Sequence, residues 1–156
     1  MATDAILDSS IIVALVTPEK YSEWARKRIQ NYEYFHALDL SFYEVANAIE
    51  YKVPNELDAK NAVEVFQKAE QMMNLHTIHR FSEATTDLLK KALELKITAY
   101  DAAFLSLADK LKMPFLTLDM KLARKIEHTK YYELIEYPNE ASNSSDITPA
   151  KKPNAK

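Results

Sequence analysis

Residues 97–119, ITAYDAAFLSLADKLKMPFLTLD, hold the reading that decides the fold. Apolar residues recur at helical spacing from Ala99 to Lys112, which predicts a helix. Phe115 to Leu118 then form a short apolar run of the kind that becomes a buried strand, and the run ends on an acid, Asp119. A helix leading directly into a buried strand is half of a βαβ unit, the building block of a parallel sheet covered on both faces.

The same alternation extends outward in both directions. Strands are predicted at Ala5–Asp8, Phe35–Leu38, Leu75–Ile78, Phe115–Leu118 and Tyr132–Ile135. Helices are predicted at Ser22–Asn31, Phe42–Tyr51, Leu57–Met73, Ser82–Leu95, Ala99–Lys112 and Lys121–Glu127. The expected class is α/β, a three-layer α/β/α sandwich around a mainly parallel sheet of four to five strands. Residues 1–138 are expected to form one domain. Residues 139–156, NEASNSSDITPAKKPNAK, hold no aromatic and one large aliphatic residue, too little to offset their ordering entropy, so a disordered tail is expected there.

Composition removes several classes of function. With no cysteine, structural disulfides, zinc ribbons, iron–sulfur clusters and thiol nucleophiles are excluded. With no glycine, Walker A loops and dinucleotide fingerprints are excluded too. The N-terminus has no basic leader and no run approaches the roughly 20 apolar residues that span a bilayer, which points to a cytoplasmic protein. A formal charge of −3 argues against a broad basic face that coats nucleic acid, but a nuclease with clustered carboxylates remains compatible with it.

Four acids stand alone in uncharged, buried-type windows: Asp8 in AILDSSIIVALV, Glu44 in LSFYEVANAI, Asp101 in ITAYDAAFLSLA and Asp119 in MPFLTLDM. No Lys or Arg shares those windows, and a charge held against a core is costly unless something compensates it. Asp8 and Asp119 fall where a strand ends and a helix begins, the edge at which open α/β sheets bind ligands. Glu44 and Asp101 fall in the first turns of helices. If the first and fourth strands are neighbours, all four converge. Hard oxygen donors with positions left for water and phosphate suit Mg²⁺ or Mn²⁺, which would activate water against a phosphodiester. Each acid also has a plainer reading. Ser41 with Glu44 and Thr98 with Asp101 match capping boxes, and Asp8 and Asp119 match turn or cap residues.

In order and spacing, LDSSIIVAL, SFYEVANAI, TAYDAAFLSLADKLKMPFLTLD and MKLARKI resemble the motifs of PIN-domain nucleases, particularly the VapC-type toxins of toxin–antitoxin pairs, over about residues 4–137. The resemblance implies that Asp8, Glu44, Asp101 and Asp119 are the catalytic, metal-holding acids. It implies supporting hydroxyls at Ser9, Ser10 and Thr117, and Asn47 lies on the face of Glu44. It further implies endoribonuclease activity on single-stranded RNA with Mg²⁺ or Mn²⁺, a homodimer, and silencing by a cognate antitoxin. The chain departs from relatives in lacking glycine, including the position before Met113-Pro114.

Lys121, Arg124 and Lys125, just past Asp119, are placed to hold RNA phosphates, or form a solvated helix face. Arg26, Lys27 and Arg28 have the same two readings. Tyr21, Trp24, Tyr32 and Tyr34 suit packing, across a dimer interface among other places. His76 and His79 would point to opposite faces of a strand, which argues against joint metal ligation. Other functions compete: a haloacid-dehalogenase-like phosphatase would need an acid where Ser10 stands, and a receiver domain would need a leading acidic pair. A non-catalytic PIN-fold interaction module in an RNA-processing complex is the remaining alternative.

Overall fold

The computed structural model describes residues 3–80 and 85–139. The expected tail, apart from Asn139, and the start of the helix predicted from Ser82 lie outside the described residues. In chain order the elements are β1 (Asp4–Leu7), α1 (Ser9–Val16), α2 (Ser22–Ile29), β2 (Tyr34–Leu38), α3 (Leu40–Glu50), α4 (Ala59–Met73), β3 (Thr77–His79), α5 (Thr85–Leu95), α6 (Ala99–Leu111), β4 (Phe115–Leu116), α7 (Met120–Lys125), a 3₁₀ turn (Lys130–Leu134) and β5 (Ile135–Glu136).

The strands form one sheet in the order β3-β2-β1-β4-β5, with every pair parallel. β1 is central and buried on both sides, as its apolar sequence requires. Ala5 and Leu7 face the core built from α1, α2, α3 and α4, while Ile6 joins Phe115 and Leu38 in the core beneath α5 and α6. The Phe104 ring from α6 lies over Phe115 with centroids 5.2 Å apart. The result is the expected three-layer sandwich.

Three local differences from the sequence reading have physical causes. The helix Ser9–Val16, for which no bounds were predicted, follows β1 without a turn, so its apolar residues merge with the strand into one run. Asp39 caps α3 by accepting the Leu40 N–H at 2.9 Å, so that helix starts earlier than predicted and Glu44 falls in its second turn. The predicted fifth strand becomes a 3₁₀ turn over Lys130–Leu134, leaving only Ile135–Glu136 to pair with β4.

Without glycine, two helices end on lysines in the left-handed region, Lys96 at φ 55° and Lys112 at φ 54°. Each ending is closed by a hydrogen bond that reaches back to the helix, Ile97 N–H to Ala92 C=O at 3.1 Å and Met113 N–H to Ala108 C=O at 3.2 Å.

Candidate active site

The sheet reverses its strand order between β1 and β4, and in such sheets the binding crevice lies at the carboxyl ends of those two strands. Asp8 follows β1 directly and Asp119 lies three residues past the end of β4. The pairing of the two strands runs on into the site, because the Asp8 N–H donates to the Leu116 carbonyl at 2.9 Å.

Three hydroxyls organise the acids. Thr117 Oγ1 and Ser10 Oγ both donate to Asp8 Oδ2, at 2.6 and 2.7 Å. Ser10 Oγ also accepts the Leu118 N–H at 3.0 Å, and Thr117 Oγ1 accepts the Asp119 N–H at 3.0 Å. Ser9, on the other side of α1, donates to Glu44 Oε1 at 2.7 Å and so ties α3 to the end of β1. Thr117 is fully buried and Ser9 nearly so. All four acids are partly buried.

The acids feel one another. Burial raises the Asp8 pKa; the hydroxyls of Thr117 and Ser10 and the neighbouring Ser9 amide oppose the rise, and the charge of Asp119 adds to it. Burial pushes Glu44 up to about 6, with Ser9 opposing and the charges of Asp8 and Asp101 adding. Burial likewise raises Asp101, which Thr98 opposes, Asp8 and Asp119 augment, and Lys125 partly offsets. Repulsion runs from Asp8 to Asp119, Glu44 and Asp101, so the four predicted acids share one electrostatic site.

The capping alternatives divide. Ser41 is no cap: it lies inside α3, fully buried, with its Oγ lacking a partner among the described residues. Asp8 occupies the N-cap position of α1 without a capping bond from its side chain. Thr98 does cap α6, accepting the Asp101 N–H at 3.1 Å. Asp119 caps α7 with Oδ1, which accepts the Leu122 N–H at 3.0 Å.

Asp8, Glu44 and Asp119 thus each have one oxygen anchored, while the second takes no side-chain hydrogen bond among the described residues. Carboxylate oxygens left without side-chain partners form a hard, anionic donor set that fits a divalent cation such as Mg²⁺ or Mn²⁺. Among the described residues no three His, Asp or Glu side chains stand close enough together to hold an ion between them, so the fit is one of donor chemistry.

The remaining predicted residues differ in placement. Asn47 is exposed one turn beyond Glu44. Lys121, Arg124 and Lys125 are all exposed on α7, but the Lys125 charge acts at Asp101 whereas that of Arg124 acts at Tyr137. The earlier basic run is occupied: Arg28 pairs with Glu136, which also accepts from Tyr32 OH at 2.7 Å, and Lys27 pairs with Glu23. Tyr32 and Trp24 pack against the core, while Tyr34 is exposed. His79 pairs with His36 Nδ1 at 2.9 Å, and His36 Nε2 reaches Asp4 at 2.9 Å. His76 precedes β3 and tilts against the Phe35 ring.

Compared with known proteins, the chain matches the PIN domain family over residues 5–127. It is 34% identical over 121 residues to the ribonuclease VapC3 of Pyrobaculum aerophilum, covering 77% of this chain and 92% of that protein. The crystal structure of PAE2754 from Pyrobaculum aerophilum superposes with a TM-score of 0.61 at 24% identity, over 86% of this chain and 84% of that one, which is a likeness of fold. Among the described residues no helix is long and apolar enough to cross a membrane.

Proposed function

The chain belongs to the PIN-domain family, and from that premise we propose that it is a divalent-metal-dependent endoribonuclease that cuts single-stranded RNA, the toxin of a toxin–antitoxin pair. One observation carries this reading. Asp8, Glu44 and Asp101, distant in sequence, have their proton affinities raised at the β1/β4 switch point by burial and then by charges within the set, that of Asp119 acting on Asp8 and Asp101. A capping role asks for no such repulsion. The relative named as a ribonuclease supports RNA as the substrate class.

When bound, Mg²⁺ or Mn²⁺ would polarise the phosphodiester and lower the pKa of an attacking water. The chain's own residues would do the rest. Asp8 and Asp119 hold the cation side from the strand ends, Glu44 and Asp101 close it from α3 and α6, and Ser9, Ser10 and Thr117 fix the carboxylates in orientation. Asn47 orients a ligand or substrate group beside Glu44. Lys125, with Lys121 and Arg124 beside it, takes phosphates of the RNA strand. The protein acts in the cytoplasm as a homodimer, and an antitoxin covers the acidic groove. Residues 1–138 constitute the catalytic unit and 139–156 contribute nothing to it, which truncation at 138 tests by melting temperature and cleavage rate.

The test is a cleavage assay with partner-free protein on single-stranded RNA and on DNA of the same sequence. RNA cutting that stops in EDTA and returns with Mn²⁺ is the expected result. Cleavage unaffected by EDTA contradicts the metal role, and equal cutting of DNA contradicts the substrate.

A further inference from the structure

A cleft adjoins the four acids and shares two helices with them. Asp39 and Leu40 at the start of α3, Arg80 just past β3, Leu88 on α5 and Tyr100 on α6, together with two alanines of α6, surround a space of about 450 Å³. Asp39 and Arg80 follow β2 and β3, so the cleft opens at the same carboxyl edge of the sheet as Asp8 and Asp119. Leu40 lies one helical turn before Glu44, and Tyr100 immediately precedes Asp101. A strand laid across the acids would continue into the cleft.

Its lining has the chemistry of a nucleotide site. Tyr100 is 62% exposed, although tyrosine normally covers much of its ring, and it makes no ring contact among the described residues. Leu40, Leu88 and the alanines supply apolar walls for a flat group beside that ring. Asp39 Oδ1 accepts the Leu40 N–H, and its second oxygen takes no hydrogen bond among the described residues. Arg80 is exposed and forms no ion pair among the described residues. An aromatic platform, an acceptor and a cation around one small space complement a base, its N–H edge and its phosphate.

We propose that this cleft is a nucleotide subsite of the RNA-cutting site: one base of the bound single strand stacks on Tyr100, Asp39 accepts an N–H from the base edge, and Arg80 takes the adjoining phosphate. The assignment rests on the ribonuclease reading given above. A second copy of the chain is the competing occupant. The observations favour RNA, because a two-fold contact needs a self-complementary patch, whereas this cleft is concave and has a cation at its mouth.

The experiment uses the full chain and a fluorescein-labelled single-stranded RNA decamer. Binding is read by anisotropy in EDTA, and kcat and KM are measured in Mn²⁺. Tyr100→Ala should weaken binding and raise KM roughly tenfold, the scale of one base–aromatic stack. Tyr100→Phe should stay close to the wild type, Arg80→Gln should flatten the salt dependence, and Leu75→Ser at the far edge of the sheet should change nothing. Wild-type affinity and KM in Tyr100→Ala would overturn the subsite. So would a fall in molar mass by light scattering in that variant, which would assign the cleft to an interface between copies. If the wild type binds RNA without cutting it, the ribonuclease reading fails and the anisotropy of Tyr100→Ala alone decides the subsite; if it binds no RNA, both fail.

Discussion

Thr117 donates its hydroxyl hydrogen to Asp8 across 109 positions of sequence, at 2.6 Å, while accepting the backbone N–H of Asp119. One fully buried hydroxyl therefore holds the carboxylate of one strand-end acid and the backbone of the other. Thr117→Val keeps the shape and removes both bonds. Losing a buried bond to a charged group costs roughly 1–3 kcal/mol, so the melting temperature should fall by several degrees. Mn²⁺ affinity and cleavage should fall about 10–100-fold, as for other groups that orient metal ligands. Unchanged melting and unchanged Mn²⁺ affinity would remove Thr117 from this role.

Glu44 gives the site a pH signature in metal-free protein. Its folded pKa of about 6 exceeds the 4.5 of an ordinary glutamate, so the folded state holds the proton more tightly. The destabilisation is absent below about pH 4.5 and complete above about pH 6, on the order of 1 kcal/mol. His76 and His79, whose pKa values burial lowers, act in the opposite sense, losing stability as pH falls below 6.5. The comparison that isolates Glu44 is wild type against Glu44→Gln in EDTA. The variant should melt higher at pH 7, and the gap should close by pH 4.5. A gap that does not vary with pH contradicts the repulsive cluster.

Of the basic residues on α7, Lys125 is the one whose charge acts at Asp101. Lys125→Gln should weaken RNA binding uniformly across sequences and reduce the slope of log affinity against log salt by about 0.7 for a single strand. Arg124→Gln, whose charge acts at Tyr137, should have a smaller effect. Equal slopes for wild type and Lys125→Gln would remove Lys125 from the RNA path.

The α/β class and the layer count were legible in the sequence because buried strands such as Ala5–Leu7 and Phe115–Leu116 are bounded by acids and separated by periodic helices, whereas the pairing of β1 with β4 stood there only as a condition. The four acids stood out as candidates because an uncompensated charge beside a core is costly. What could not be read was which hydroxyl serves which carboxylate. Ser9 and Ser10 are adjacent in sequence, yet one serves Glu44 and the other Asp8, because α1 begins there and turns their side chains apart. Glu44 looked like a capping residue because Ser41 stands three positions before it, whereas the helix is capped by Asp39 and begins at Leu40. The exposed ring of Tyr100 gave no signal, since a tyrosine beside a helix start is ordinarily a packing residue.

The missing glycines leave a stability cost at Lys96. A left-handed conformation costs a non-glycine residue roughly 1–2 kcal/mol, and the entropy that glycine adds to the unfolded chain returns about 0.4–1 of that. Lys96→Gly should therefore raise the melting temperature by a few degrees without changing cleavage. A lower melting temperature would show that the helix end is not strained there.

The most direct measurement is RNA cleavage by Glu44→Gln beside an Mn²⁺ titration of the same sample. Gln serves as well as Glu in a capping box, but it carries no charge to hold a cation. The ribonuclease account predicts cleavage reduced by orders of magnitude and weaker Mn²⁺ binding, in a protein that melts no lower than wild type in EDTA. A Glu44→Gln protein that cuts RNA at a near-normal rate with normal Mn²⁺ dependence would contradict it.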